Sequence, residues 1–374
     1  MKQELLYMNK NRHATWLELY FDLIFVVALG TITHLLTHTH HGHLESGIWW
    51  HFILAFIPMW WIWVGHTAYS NRFDADSRSH RIVTLVLMFL ILLSSVLLSE
   101  QVVTNHVPFV LTYCVARFVI AGMYFTSSLV SSDEPIYARR AAIVVAIGAL
   151  VSALAATLEL SWAMIPFYAG IVIEIIGYLV IRKIAKPVDR DHLVERVGLL
   201  GIILLGESVI SIGSSLGGIV WDPATILTAI IGFMFICGVW WIYFDSFPLL
   251  IESKNDPNGN AILFSQLFTY ISFAILANMI SHAILEDLAV NDFRIMAAIG
   301  MTLFYLGKQT AYFVNLPEYR RDITLNTLAM FAVLAVSLML SESRNILFGA
   351  AFSIGVYIVL NYRAQVRLYG KVHL

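Results

Sequence analysis

Twelve stretches of mostly apolar residues, each about 20 long, recur along this chain of 374 residues. A helix rises about 1.5 Å per residue, so each stretch can cross a hydrocarbon core of about 30 Å. The predicted spans are 16–37, 48–70, 81–99, 108–130, 140–158, 161–181, 197–218, 224–247, 260–284, 293–314, 322–340 and 345–362. Composition agrees: 59% of residues are hydrophobic and 13% charged, against roughly 45–50% and 25% in soluble domains. The expected fold is an all-α polytopic membrane helix bundle.

The net charge of −2 gives no reason to expect a nucleic-acid partner; membrane lipids are the surroundings these spans require. Cys114 and Cys237 lie inside apolar stretches without metal or redox spacing, which makes them packing residues. The first apolar stretch is too long for a signal peptide, contains acids and lacks a small-residue cleavage pattern, so it is expected to stay as the first span. Thr15 and Glu18 form a T-x-x-E capping box, and Asp222-Pro223 reads as a helix N-cap followed by a first-turn proline.

Nineteen of the 23 Lys and Arg residues fall on one side of these spans. They include Lys2, Lys10 and Arg12 at the N-terminus, Lys371 near the C-terminus, and Arg182, Lys183, Lys186, Arg190 and Arg196 in the linker before span 7. Only Arg294 and Arg344 lie on the other side, while Arg117 and Lys308 fall within spans. The positive-inside rule then places both termini in the cytoplasm.

The two halves of the chain echo each other at an offset of about 180 residues. Glu18 begins span 1 and Glu195 precedes span 7, and Trp60-Trp61 in span 2 returns as Trp240-Trp241 in span 8. Six spans is an even number, so both halves enter from the same side, as parallel repeats. The expected division is 1–187 for the first six-helix half and 188–374 for the second.

The segment from Ala14 through Ala28, Ala-Thr-Trp-Leu-Glu-Leu-Tyr-Phe-Asp-Leu-Ile-Phe-Val-Val-Ala, followed by His34, resembles the opening of the low temperature requirement A (LtrA) family. Glu195-Arg196-Val197-Gly198-Leu199-Leu200, continuing through Leu205-Gly206-Glu207-Ser208-Val209-Ile210, resembles that family's second signature. The resemblance spans nearly the whole chain and implies a multi-span protein of the plasma (bacterial inner) membrane, without a settled activity. Phe21-Asp22-x-x-Phe25 is also similar to the Phe-Ser-Asp signature of the TMEM-type lysosomal potassium and proton channels. Here the serine is missing, and the matching stretch of span 7, Gly198-Leu199-Leu200, has no aspartate.

Ionisable groups inside spans are costly, about 2.5–3.5 kcal/mol or more for Asp, Lys or Arg at a helix centre, and they mark candidate sites. Asp22, Glu207, Glu174, Arg117 and His66 form the expected ion or substrate pathway, with Arg117 paired to Glu174 or Glu207. Asp22 and His66 sit at similar depth, where imidazole can relay a proton; Asp245 shares that depth. Glu18, Glu195, His34 and His282 are candidates for structural or gating roles. Lys308 lies near enough to the cytoplasmic face to snorkel. Six glycines on span 7 (Gly198, Gly201, Gly206, Gly213, Gly217 and Gly218) suggest a helix in the bundle interior. His38, His40, His41 and His43 cluster outside and are weak candidates for metal binding.

The first functional reading is movement of a proton, inorganic cation or small solute, as a transporter or ion channel. The alternatives are an integral-membrane enzyme acting on a lipid or cofactor, or a membrane sensor or assembly protein. No nucleophile motif, H-E-x-x-H pattern or intramembrane metal-ligand spacing marks an enzyme, and no cofactor is expected. A homo-oligomer is compatible with the sequence.

Overall fold

The computed structural model describes residues 13–73, 77–100, 106–130, 134–217 and 221–370. Lys2, Lys10, Arg12, Gly218 and Lys371 lie outside the described residues. Each predicted span is met by one long helix: α1 (Trp16–Thr33), α2 (Ile48–Arg72), α3 (Arg78–Glu100), α4 (Val107–Val130), α5 (Pro135–Ala153) and α6 (Leu160–Ile181). Then follow α7 (Arg190–Ser215), α8 (Pro223–Phe244), α9 (Asn260–Leu285), α10 (Val290–Asn315), α11 (Arg320–Ser337) and α12 (Ser343–Tyr369). Ten of these twelve, among the described residues, are long and apolar enough to cross a membrane. The exceptions, α10 and α11, carry more polar side chains, including Lys308, Gln309, Asp322 and Asn326. The only sheet among the described residues is the two-stranded hairpin Thr39–His40 with His43–Leu44. The protein is an all-α polytopic helix bundle.

Local chemistry sets the helix ends. Thr15 and Glu18 close the capping box reciprocally, with the Thr15 N–H donating to Glu18 Oε2 (2.8 Å) and the Glu18 N–H to Thr15 Oγ1 (3.3 Å). Asp222 caps α8 by accepting from the Thr225 N–H at 2.7 Å. Gly370, at φ +68°, ends α12 in the left-handed conformation that glycine adopts without steric cost. Arg363 and Arg367 do not stop this helix, so it runs seven residues past the predicted end at 362.

The chain forms two compact units. One comprises residues 1–32, 53–196 and 257–259; the other 33–52, 197–256 and 260–374. In the first, α3, α4, α5 and α6 pack in sequence. At the α5–α6 crossing a Cβ on Gly170 would lie 2.1 Å from Ser152 Oγ, so only glycine permits this approach. In the second, α9 packs on α10, α11 on α12, and α12 on α8.

The glycine-rich α7 is not the most enclosed helix. The apolar window of α9 is 83% buried and that of α7 44%. Gly198 and Gly201 do receive Phe247 and Tyr243, but Gly206 and Gly213 face open space. Glycine content registers close approach only where a partner helix is present.

Candidate functional site

The first unit buries a cluster of acids, an arginine and two histidines. α1 supplies Glu18 and, one turn later on the same face, Asp22. α2 supplies Trp63 and His66, and the first turns of α7 supply His192 and Arg196. All six are buried. Asp22 Oδ1 accepts from Arg196 Nη2 at 2.7 Å and from Trp63 Nε1 at 2.8 Å. Arg196 Nη1 lies 3.2 Å from Glu18 Oε1. The arginine therefore sits between two carboxylates.

His192 is oriented from behind. The Asp189 N–H donates to Asn71 Oδ1 at 3.1 Å, while Asn71 Nδ2 donates to the Asp189 carbonyl at 2.8 Å. That pairing turns the amide nitrogen toward His192 Nδ1, 3.1 Å away. Nδ1 is therefore an acceptor, and Nε2 carries the hydrogen that faces Glu18 Oε1 at 3.2 Å. A carbonyl or carboxylate behind a histidine would select the opposite tautomer.

Three groups in the cluster keep unused polar atoms: Asp22, His66 and Arg196, whose Nε and Nη1 make no hydrogen bond among the described residues although Nη1 faces Glu18. Asp22 Oδ2 has no hydrogen-bond partner among the described residues, and neither does either ring nitrogen of His66. The His66 ring stacks on Phe21, with centroids 3.9 Å apart and planes at 18°. His80, half-buried at the start of α3, lies beyond it at 6.5 Å, and Tyr69 stacks on His80 at 5.9 Å. A buried polar atom without a partner costs about 1–3 kcal/mol, so such a concentration is unusual for a purely structural cluster.

Arg117 and Glu174 make a second buried pair in the same unit, and it is closed. The guanidinium Nε and Nη2 both donate to the Glu174 carboxylate, and Nη1 donates to the Trp61 carbonyl at 2.9 Å. Trp61 Nε1 completes the arrangement, donating to Glu174 Oε2 at 2.9 Å. Neither residue retains an unpartnered buried polar atom. Glycines make the room: a Cβ on Gly65 would stand 2.6 Å from Arg117 Nη1, and one on Gly148 2.2 Å from Glu174 Cγ. A cavity of about 30 Å³ adjoins the pair, lined by Trp61, Gly65, Tyr124 and Tyr178 among others. It has room for roughly one water.

The remaining sequence candidates are dispersed. Glu207, half-buried on α7, lies within electrostatic reach of His34 in the second unit. Glu195 accepts from the Ala14 N–H at 3.0 Å, beside His13 at 3.4 Å. His282 bridges Asp287 Oδ1 (2.7 Å) and the Leu36 carbonyl (2.9 Å). His38, His40, His41 and His43 are exposed on the hairpin and its approach, and His43 pairs with Asp292 at 3.0 Å. Among the described residues no three metal-capable side chains converge.

Two expectations from sequence are corrected. Arg196 is no linker residue: α7 begins at Arg190, and Arg196 is fully buried because Asp22 and Glu18 both face it. Lys308 does not snorkel. It is buried, with its ammonium 4.7 Å from the Tyr312 ring centre and 5.6 Å from that of Tyr357. The signal for Arg196 was available in principle, since an intramembrane Asp22 calls for a cation at its own depth.

The family model described as bacterial low temperature requirement A protein (LtrA) matches residues 13–360, nearly the whole chain. The chain belongs to the LtrA family. An uncharacterized protein of Rhizobium meliloti (strain 1021) is 24% identical to this LtrA-family chain over 354 residues, covering 91% of this chain and 85% of the relative. The two segments that carry the LtrA resemblance, one holding Glu18 and Asp22 and the other Arg196, meet in the ion-pair cluster.

Proposed function

We propose that this LtrA-family protein moves protons across the membrane, with Asp22 and His66 as the groups that accept and pass them. The observation that carries this reading is the set of unused proton acceptors, Asp22 Oδ2 and the His66 ring nitrogens, buried together around a fixed carboxylate–guanidinium pair. Charge supports it. With both carboxylates ionised and His192 neutral, Glu18, Asp22 and Arg196 leave one negative charge uncompensated in a low-dielectric setting, which one proton balances. Arg196 occupies the place an inorganic cation would take between the carboxylates, and this favours the proton over a metal cation. The closed Arg117–Glu174 pair acts instead as an interhelical clamp.

Purified protein in liposomes, carrying an internal pH-sensitive dye and a potassium diffusion potential, tests the proposal. Proton uptake is expected in the unmodified protein, with a loss of about tenfold or more in Asp22→Asn and His66→Phe. Flux unchanged in both variants rejects their role. Glu207→Gln belongs in the same series, as does a panel of alkali cations. Asp22-dependent flux of a cation with no proton flux would replace the proton by that cation.

The same reading places the protein in the bacterial inner membrane with both termini cytoplasmic, in line with the distribution of Lys and Arg, and reporter fusions in residues 182–196 check it. It also treats the chain as two parallel six-helix halves. In support, Trp63 and Tyr243, 180 positions apart, each hydrogen-bond the opening helix of their own half. Trp63 donates to Asp22, and Tyr243 donates to the Val197 carbonyl at 3.1 Å.

A further inference from the structure

α5 and α6 form an antiparallel hairpin whose register is set by small residues. Gly170 meets Ser152, Gly148 meets Glu174 and Gly177 meets Val144, each with no room for a Cβ. One turn beyond Val144 and Gly177 stand Arg140 and Ile181, so the start of α5 lies level with the end of α6. That level carries four cations: Arg139 and Arg140 near the start of α5, and Arg182 and Lys183 in the turn that follows α6. Arg139, Arg140 and Lys183 are exposed, and Arg182 is half-buried. None of the four makes an ion pair or a side-chain hydrogen bond among the described residues. Glu134, just before α5, is already engaged by Arg72 Nη1 at 3.3 Å and by the Lys186 N–H.

We propose that this end of the α5–α6 hairpin is a binding surface for an anionic phospholipid, with Arg139, Arg140, Arg182 and Lys183 around its headgroup phosphate. Charge complementarity carries the proposal. Arg72, Arg117 and Arg196 each face a carboxylate of the chain, whereas these four cations face one another. Like charges on adjacent helix ends repel, and an anion placed between them turns that repulsion into attraction. Guanidinium groups suit a phosphate because their planar fork can give it two parallel hydrogen bonds. The apolar surface beside the charges suits the rest of a lipid. Ile143, exposed on α5, shares a helix face with Arg139 and Arg140, and Val180, exposed on α6, shares one with Lys183. Exposed Ile147 and Ile176 continue the two stripes into the span. Acyl chains lying along these stripes bring a phosphate to the level of the cations, as a free ion in water would not be brought.

Delipidated full-length protein in a neutral detergent, titrated with phosphatidylglycerol and followed by native mass spectrometry, is the test, with phosphatidylcholine of the same acyl chains as the comparison. Saturable binding of phosphatidylglycerol is expected, about fivefold or more tighter than that of phosphatidylcholine. Arg139→Gln with Arg140→Gln should weaken it by about tenfold or more, and Arg182→Gln with Lys183→Gln, should the first pair fail to fold, by a similar factor. Arg321→Gln with Arg363→Gln removes two exposed cations from the second unit and should leave the affinity within about twofold, since neither belongs to the surface. Equal binding of the two lipids, or an equal loss in the Arg321 and Arg363 pair, overturns the proposal, because either result reduces it to unspecific attraction. Displacement of the lipid by millimolar inorganic phosphate also overturns it and would assign the cations to a free anion.

Discussion

Arg196 donates to Asp22 across 2.7 Å and 174 residues of sequence, and solvent reaches neither side chain. Trp63 shares the same carboxylate oxygen, and Glu18 faces the other side of the guanidinium. An arginine fixed between two acids is oriented by both, so it holds α7 to α1 within the first unit while leaving Asp22 Oδ2 unused. The cluster is thus both a structural joint and a reservoir of unspent hydrogen-bonding capacity.

Removing the cation alone should be costly. Arg196→Met leaves Asp22 and Glu18 buried without their counter-charge, and breaking a buried pair from one side costs about 3–5 kcal/mol. The expected outcome is a clear fall in the thermal midpoint of the detergent-solubilised protein, with substantial recovery when Asp22→Leu is added. Strictly additive losses in this double-mutant cycle would show that the two side chains do not interact.

The Arg117–Glu174 clamp depends on missing Cβ atoms. Gly148→Ala drives a methyl into Glu174 Cγ and should destabilise by about 1–3 kcal/mol, as should Gly65→Ala against Arg117. Gly122 on α4 meets nothing within 4 Å, so Gly122→Ala should stay within about 0.5 kcal/mol. Unfolding of the three variants side by side distinguishes steric causes from a general intolerance of alanine.

His282 ties the connector after α1 to the loop after α9, through the Leu36 carbonyl and Asp287. The hairpin is then fastened by the Ala289 N–H to the Gly42 carbonyl (2.6 Å) and by the Leu44 N–H to Asp292 (3.2 Å). In His282→Phe the amide hydrogens of Leu44 and Ala289 should exchange about tenfold faster or more, with α9 unchanged. Unaltered exchange at both amides would mean the hairpin is held without the histidine.

Asp222, outside the membrane spans, has its carboxyl held below the usual range by the Thr225 backbone N–H it accepts. A carboxylate with a depressed folded-state pKa contributes stability above its unfolded pKa of about 4 and loses it as pH falls through the lower folded value. Protection of the first turn of α8 against hydrogen exchange should therefore hold across neutral pH and decline only in acid. Asp222→Ala should remove that decline; an identical acid profile in the variant would place its origin elsewhere.

Much of the fold was legible in the chain itself. Lipid offers the backbone no hydrogen bonds, so apolar stretches of span length must be helices, and the capping box at Thr15 and the Asp222-Pro223 cap were readable as local motifs because their partners lie three residues apart. The intramembrane charges named Asp22, Arg117, Glu174 and His66, since burial in lipid penalises them wherever they sit. What only the tertiary structure decided was pairing: that Arg196 belongs to Asp22 rather than to the cytoplasm, that Glu174 rather than Glu207 meets Arg117, that His192 backs Glu18, and that Lys308 is enclosed by tyrosines. Spans and caps are set by interactions within one helix, whose geometry the sequence specifies. Partners between helices depend on rotation and depth, and hydropathy is nearly blind to both.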